Sequence, residues 1–298
     1  MELFSLIRNS ELRSKLLSFD NSKSKTSFYL ELFSLIRNFA TQKPRFMKKV
    51  LFSILMTMLC ALESQAFTVV IDAGHGGRDA GALGRRSREK NINLAVALAL
   101  GSLIKSNLPD VKVVYTRSTD VFVELDQRAR IANKAKADLF ISIHTNSTAA
   151  GRSGTKVCGA ETYTLGMHRA ADNLAVAKRE NSVITLESNY EQRYEGFDPS
   201  SSESYIIFEL MQDQNMAASV DFASRVQNQF RSTAGRVNKG VHQAGFLVLR
   251  QTSMPSVLVE LGYINNFSEE TFLMSADGQQ KMARSIFNAF KDYYKKAK

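Results

Sequence analysis

Cysteine is scarce in this chain of 298 residues, which has only Cys60 and Cys158. Cys60 lies in an apolar N-terminal run that we predict to be removed, so Cys158 is left without an intramolecular partner. This excludes a disulfide framework for the remaining chain. No Cys-His cluster surrounds Cys158 in the sequence, and we interpret it as a packed thiol rather than a nucleophile.

The apolar run Val50–Leu62 is too short to cross a bilayer, which takes roughly 20 apolar residues. It follows Met47-Lys48-Lys49 and precedes Ser64-Gln65-Ala66. A charged start, an apolar stretch and a small-x-Ala site are typical of a signal peptide. We therefore predict a signal peptide at residues 47–66, no transmembrane anchor, and export to the periplasm or cell envelope. The alternative is a buried or interfacial helix.

The first 46 residues are unusual because a signal peptide normally begins the chain. The octamer Glu-Leu-Phe-Ser-Leu-Ile-Arg-Asn occurs at 2–9 and again at 31–38. Two copies are too few to stack as a solenoid, which needs about three. We interpret residues 1–46 as an over-long gene start, with Met47 as the true one. The alternative is a genuine basic N-terminal arm.

Charge gives little support for a nucleic-acid partner. The formal net charge is +10, but from Phe67 onward 29 Lys and Arg face 24 Asp and Glu. This surplus is not gathered on a recognisable reading helix, so DNA binding is not supported. A mildly basic protein suits a polyanionic wall. No linker rich in Pro, Gly or Ser divides the chain, and we predict one domain over 67–298.

Short apolar runs alternate with longer amphipathic stretches, which favours an α/β fold with a largely buried sheet. The predicted strands are Phe67–Asp72, Val111–Thr116, Leu139–His144, Glu161–Leu165, Phe246–Leu249 and Val257–Glu260. The predicted helices are Glu89–Lys105, Leu125–Lys136, Ser204–Phe230 and Gln279–Tyr294.

Three of these strands end on residues that can bind a metal. His75 follows the first strand within a glycine-rich loop, His144 ends another, and Glu260 ends the last. Ligands of α/β sheets bind beyond the carboxyl ends of strands, so the three side chains are expected to meet there. The glycine loop is not a dinucleotide-binding motif, because Asp79 stands where the third glycine should be.

Glu89 is a fourth candidate, in the first turn of the helix after the glycine loop, which Ser87 is predicted to cap. Two histidines and a carboxylate leave one position on zinc for water, the pattern of a catalytic site. Glu260 is then free to take a proton from that water. The alternative is that these are structural residues, although a buried carboxylate such as Glu260 is costly without a partner.

Several motifs in order resemble the zinc-dependent N-acetylmuramoyl-L-alanine amidases of the cell-wall amidase 3 type. They are Val70-Ile71-Asp72-Ala73-Gly74-His75-Gly76-Gly77 with Asp79-x-Gly81, Arg88-Glu89-Lys90-Asn91, Leu125-x-x-Arg128 with Ala132-Asn133, Ala137-Asp138-Leu139-Phe140-Ile141-Ser142-Ile143-His144, and Pro255-Ser256-Val257-Leu258-Val259-Glu260-Leu261-Gly262-Tyr263.

The resemblance implies one zinc ion held by His75, Glu89 and His144, with Glu260 as the general base. The bond to be cut joins N-acetylmuramic acid to L-alanine in peptidoglycan. It also implies a twisted, mostly parallel sheet flanked by helices. Asn146 lies where the family often has Asn or Asp, and we assign it to substrate orientation. A wall peptidase on the same zinc site and a non-catalytic wall-binding module are the alternatives.

A polar insert at about 178–203 contains Glu187, Glu191 and Glu195 at a spacing of four, which would align them on one helical face. Division-associated members of the resembled family carry a helix near this place that donates a carboxylate to zinc. We therefore hypothesise that one of the three glutamates blocks the site until a partner, such as an activator protein of the envelope, removes it. The alternative is a solvated acidic loop that shapes the substrate groove.

Overall fold

Six strands form one sheet in the computed structural model, which describes residues 66–150, 154–167, 171–206 and 214–297. They are β1 (Thr68–Ala73), β2 (Lys112–Tyr115), β3 (Leu139–Asn146), β4 (Ala160–Leu165), β5 (Asn238–Ala244) and β6 (Ser256–Tyr263). Their order is β2-β1-β3-β6-β4-β5. Every neighbouring pair is parallel except β4 with β6. The predicted signal peptide and residues 1–46 lie outside the described residues, apart from Ala66.

The inner strands are buried along their whole length, because helices cover both faces of the sheet. Every residue of β1, β3 and β6 is buried. This explains why their sequences are nearly continuous apolar runs without alternation. Their carboxyl ends lie side by side, since β1, β3 and β6 are consecutive parallel neighbours.

The helices are α1 (Glu89–Asn107), α2 (Leu125–Lys134), α3 (Ala171–Asn181), α4 (Tyr190–Arg193), α5 (Met216–Ser232), α6 (Leu247–Arg250), α7 (Phe267–Met274) and α8 (Ala276–Ala297). One apolar core joins the sheet to α1, α5 and α8, and a second joins the opposite face to α2, α3 and α6. These two cores confirm the predicted α/β fold, a single domain with a mostly parallel sheet and helices on both faces. Among the described residues no helix combines the length and apolarity needed to cross a membrane.

Several sequence predictions of local structure are wrong. Cys158, which we interpreted as a packed thiol, is exposed. The run Phe246–Leu249, predicted as a strand, forms the short helix α6, and the neighbouring strand is β5. β5 was missed because it is a partly exposed edge strand with few large apolar residues. The predicted helix Ser204–Phe230 is interrupted. A 3-10 turn covers Glu203–Ile206, residues 207–213 lie outside the described residues, and α5 begins at Met216 after a turn.

Candidate metal centre

Four buried side chains converge beyond the carboxyl ends of β1 and β3. His75 Nε2 lies 3.1 Å from Glu89 Oε1, and His144 Nδ1 lies 3.2 Å from the same oxygen. The fourth group is the carboxylate of Glu180, whose Oε2 lies 3.0 Å from His75 Nε2 and 2.9 Å from His144 Nδ1. The structure thus brings together the three predicted ligands and one residue that sequence analysis did not single out.

The donor set fits zinc. Bonds of about 2.0–2.1 Å in a tetrahedron separate neighbouring donor atoms by about 3.3 Å, close to the spacing of these four groups. His75 Nε2 and Glu180 Oε2 are buried and make no hydrogen bond. Unsatisfied buried polar atoms are rare unless they have another partner, such as an ion. Two imidazoles and two carboxylates are ordinary zinc ligands.

His75 is held by the loop after β1 rather than by a regular element. Its φ is 62°, a left-handed conformation that is uncommon outside glycine. Its Nδ1 lies 2.7 Å from Asp79 Oδ2, which keeps Nε2 directed at the cluster. A Cβ on Gly81 would lie 2.7 Å from both His75 and Glu89, so only glycine fits there.

Glu89 and His144 are fixed by the backbone around them. Glu89 Oε2 accepts a hydrogen bond from Ala82 N at 2.8 Å, and its Oε1 accepts one from Thr145 N at 2.9 Å. The His144 ring packs on Gly74, where a Cβ would lie 2.3 Å from Nε2. The glycine of the loop therefore makes room for the second histidine.

Helix α1, which carries Glu89, does not begin as predicted. Its N-cap is Arg88, without a side-chain capping bond. Ser87 instead donates a hydrogen bond from Oγ to Glu270 Oε1 at 2.8 Å. Glu270, on α7, also accepts hydrogen bonds from the backbone amides of Arg86 and Ser87. The first two amides of α1 are bound by the backbone instead, because Glu89 N donates to the Ala82 carbonyl at 3.0 Å and Lys90 N to the Ala80 carbonyl at 3.2 Å.

A buried ion pair between Arg128 and Asp72 supports the loop that carries His75. Arg128 Nη1 lies 2.8 Å from Asp72 Oδ1, and Arg128 Nη2 donates to the carbonyl of His75 at 3.0 Å. Ser142 Oγ and Thr116 Oγ1 both donate to Asp72 at 2.6 Å. Burial by itself raises the pKa of Asp72, but Arg128 and the two hydroxyls hold it below its usual range.

The charges of the cluster are mutually dependent. Although burial lowers the pKa of His144, the carboxylates of Glu180 and Glu89 raise it to about 9. Burial raises the pKa of Glu180, and the neighbouring His144 and Arg179 reverse this and hold it well below its usual range. The two carboxylates and the two imidazoles thus stabilise each other's charged forms.

Glu260 lies next to His144, because the two are register partners on β6 and β3. The side chain is fully buried, and neither carboxylate oxygen makes a hydrogen bond. Its nearest cation is Arg179, whose Nη2 lies 3.6 Å from Oε1. Burial, followed by the charge of Glu180, raises the pKa of Glu260 well above its usual range. A carboxylate of raised pKa beside a metal cluster is suited to accepting a proton.

None of the three glutamates predicted to block the site lies in the cluster. Glu187 binds Leu125 N and Tyr194 OH, each at 2.8 Å. Glu191 is exposed, and Glu195 is 82% exposed near Arg250. The three do not share a helical face, because α4 spans only Tyr190–Arg193 and left-handed residues flank it.

The group in that position is Glu180, next to the C-terminal end of α3. It lies within the predicted insert, but its helix was not predicted. Helix α3 packs on the sheet through Val176 and Ala177. A signal for it was available in the apolar positions of Ala171–Asn181, where Leu174 and Ala177 precede Asn181 at helical spacing.

Asn146, predicted to orient substrate, ends β3 beside the cluster and is 1% exposed. Its Nδ2 donates to Glu161 Oε1 at 2.8 Å. Its Oδ1 accepts from Arg179 Nη2 at 2.9 Å. Glu161, which the sequence analysis did not identify, faces Glu260 across the antiparallel β4–β6 pair.

Comparison with known proteins agrees with this site. A family model described as N-acetylmuramoyl-L-alanine amidase matches residues 69–292. The chain is 36% identical over 232 residues to the N-acetylmuramoyl-L-alanine amidase AmiC of Escherichia coli, which covers 76% of this chain and 52% of AmiC. It is 34% identical over 229 residues to AmiA of Escherichia coli, covering 76% of this chain and 75% of AmiA.

Among solved structures, the catalytic domain of the amidase CwlV from Paenibacillus polymyxa is similar, with a TM-score of 0.56 and 32% identity. That match covers 77% of this chain and 98% of the CwlV domain. The chain spans about half the length of AmiC and three quarters of AmiA. On these matches, this chain belongs to the N-acetylmuramoyl-L-alanine amidase family.

Proposed function

We propose that this protein hydrolyses the amide bond between N-acetylmuramic acid and L-alanine in peptidoglycan, as a zinc enzyme with Glu260 as general base. The observation that carries the proposal is the buried cluster of His75, Glu89 and His144 beside an unpaired carboxylate. Family membership supplies the class of bond. The cluster supplies the ligands, with one zinc ion held by the two imidazoles and Glu89.

His75, Glu89 and His144 would hold the zinc ion, which would supply polarisation of the scissile carbonyl and a more acidic water. Glu260 takes a proton from the attacking water and returns it to the leaving nitrogen of L-alanine. Both of its carboxylate oxygens are buried and make no hydrogen bond, so they are available for this transfer. Its position beside His144 on the neighbouring strand keeps this carboxylate next to the metal ligands.

The arrangement described here is a closed form. Glu180 Oε2 lies about 3 Å from both imidazoles, in the position that the substrate and its attacking water need. We therefore transfer the predicted blocking role to Glu180. Opening requires helix α3 to move, and an activator protein of the cell envelope is the partner that we propose for this step. Export to the periplasm or envelope follows from a peptidoglycan substrate and the predicted signal peptide.

Two other functions use the same features. A wall peptidase would cut within the stem peptide with the same metal chemistry, and product analysis separates it from an amidase. A non-catalytic wall-binding module would not need four metal-competent residues together with Glu260. The intact set favours an enzyme.

The test is a digest of purified peptidoglycan by zinc-loaded protein, analysed by mass spectrometry. Three chains are compared, namely the unchanged protein, Glu180→Ala and Glu180→Ala with Glu260→Ala. We expect free stem peptides beginning at L-alanine, released at least tenfold faster by Glu180→Ala than by the unchanged chain and not released by the double variant.

Peptides cut internally would reassign the enzyme as a wall peptidase. Equal rates for the unchanged chain and Glu180→Ala would remove the blocking role but leave the amidase. A folded, zinc-bound Glu180→Ala chain that releases nothing would contradict the proposed function.

A further inference from the structure

The guanidinium of Arg179 fills a group of hydrogen-bond acceptors beside Glu260. Its Nη1 donates to the carbonyl oxygen of Ser147 at 2.6 Å, and its Nη2 donates to Asn146 Oδ1 at 2.9 Å. The same Nη2 lies 3.6 Å from Glu260 Oε1. Every group that faces the guanidinium here is an acceptor, and two of them belong to the short segment that ends β3.

The acceptor side of Asn146 is fixed by its surroundings. Its Nδ2 donates to Glu161 Oε1, a carboxylate that can only accept. Tyr263 OH donates to the same oxygen at 2.5 Å, and Tyr163 OH donates to Glu161 Oε2 at 3.1 Å. Because Glu161 takes the amide nitrogen, Asn146 Oδ1 must point to the opposite side, where Arg179 lies.

Arg179 is adjacent to Glu180, so both leave together when α3 moves. Departure removes Arg179 from beside Glu260 and takes the side-chain donor from Asn146 Oδ1 and from the Ser147 carbonyl. Asn146 Oδ1 keeps the backbone amide of Ser147 as a donor at 2.7 Å, so one of its two lone pairs is left open. The open form therefore has a site that favours a ligand bearing N–H groups.

We propose that Asn146 Oδ1 and the Ser147 carbonyl form an acceptor pair that binds backbone amide N–H groups of the peptide stem, and that Arg179 is its internal occupant in the closed form. This inference rests on the proposed function for the identity of the ligand. Both atoms of the pair are acceptors, and the backbone of a peptide stem presents N–H groups that donate to such atoms. Glu260 must protonate the leaving nitrogen, which places the first residues of the stem at this side of the cluster.

The test measures binding of the dipeptide L-alanyl-D-isoglutamine to zinc-loaded full chains by titration calorimetry, so that no turnover is needed. All chains carry Glu180→Ala, which clears the metal position. Adding Arg179→Ala is expected to tighten binding about fivefold to tenfold, because the ligand no longer competes with the guanidinium. Lys178→Ala is the matched control. Lys178 is the neighbouring cation on α3, donates to Ser202 Oγ at 2.9 Å and makes none of these contacts.

A second variant tests the pair itself. Adding Asn146→Ala to the Arg179→Ala, Glu180→Ala chain is expected to weaken dipeptide binding about fivefold, with zinc content unchanged. Equal affinities for all chains would overturn the proposal. Weaker binding after Arg179→Ala would also overturn it, by showing that Arg179 contacts the peptide directly.

The result is independent of the reaction. If the dipeptide binds as expected but the Glu180→Ala chain releases no stem peptides from peptidoglycan, the acceptor pair stands and the proposed function fails. If stem peptides are released while Arg179→Ala and Asn146→Ala leave dipeptide affinity unchanged, the function stands and the acceptor pair is wrong.

Discussion

The two halves of the closed site are held in different ways. The frame consists of His75, Glu89, His144 and Glu260, which lie on the loop after β1, on α1, on β3 and on β6. Backbone amides fix Glu89, and the carboxylate of Asp79 fixes His75. The cover, residues 171–206, contributes Glu180. It is attached through apolar contacts and through polar bonds, several of them at the surface, such as that from Arg78 to the Leu186 carbonyl at 2.8 Å.

The hydrogen bonds that fix His75 and Glu89 do not involve the cover. His75 keeps its bond to Asp79, and Glu89 keeps its bonds to Ala82 N and Thr145 N, whether or not the cover is in place. Removal of the cover therefore leaves the metal ligands assembled. Glu260 is the exception, because its nearest cation, Arg179, belongs to the cover.

The largest effect is expected for Glu260, the proposed general base. In the Glu180→Ala background, Glu260→Gln should lower the rate of stem-peptide release about a thousandfold, because the amide cannot accept the proton from water. Zinc content should stay the same, since Glu260 is not among the four clustered groups. Glu203→Gln, an exposed carboxylate of the cover, is the control and should leave the rate unchanged. A drop of less than tenfold for Glu260→Gln would assign the base elsewhere.

The next largest effect is expected for the buried ion pair between Arg128 and Asp72. Arg128→Met leaves Asp72 buried without its cation and should lower the free energy of unfolding by roughly 3–5 kcal/mol at pH 7. The folded pKa of Asp72 is depressed, so its contribution is present above about pH 4 and is lost as the pH falls further. The difference between the unchanged and variant chains should therefore shrink in acid, as measured by urea unfolding at pH 7 and below pH 4.

The matched control is Arg225→Met, which breaks a surface pair with Asp221 at 3.2 Å on α5. Its effect should stay within about 1 kcal/mol. A similar loss for both variants, or a difference that grows in acid, would contradict the role given to the buried pair.

Sequence reasoning located the frame because its signals are local. A buried strand that ends on a histidine is visible in the run before His75 and in the run before His144, and parallel pairing then brings the two ends together. The side chains that support them were harder to identify. The hydrogen bonds between Glu270 and the loop before α1, for example, join residues more than 180 positions apart, and no local sequence pattern predicts them.

For the cover, the sequence predicted a polar insert at about 178–203 but not the helices within it. The spacing of Glu187, Glu191 and Glu195 predicted one helix, but Asn189 and Glu195 both adopt left-handed φ values of 55° and end it on each side. Glu180, to which we transfer the proposed blocking role, is instead placed in the cluster by the packing of α3 on the sheet. This placement depends on tertiary packing, which sequence periodicity alone does not predict.

A smaller effect is expected at Asp79, whose carboxylate contacts His75 Nδ1. Asp79→Asn weakens the hold on His75 Nδ1 and should lower zinc affinity about tenfold to a hundredfold, as measured by competition with a chromogenic chelator. Asp120→Asn is the control, because Asp120 binds Gly77 N at 2.8 Å in the same loop but does not contact the cluster. Equal affinities for the two variants would show that the loop holds His75 without Asp79.

The smallest effect on stability is expected at the attachment of the cover, and it tests whether cover and frame separate. Arg193 is 27% exposed and lies 2.5 Å from Glu124 and 3.2 Å from Glu187. Arg193→Met should lower the free energy of unfolding by less than about 1 kcal/mol. If that energy holds the closed form, the same loss raises the open population, and with it the basal rate of stem-peptide release, up to about fivefold.

The two measurements are initial rates on peptidoglycan and urea unfolding of the same preparations. A rate that rises while stability barely changes means that the cover opens as a unit. Stability that falls with no gain in rate would mean that Arg193 supports the whole domain.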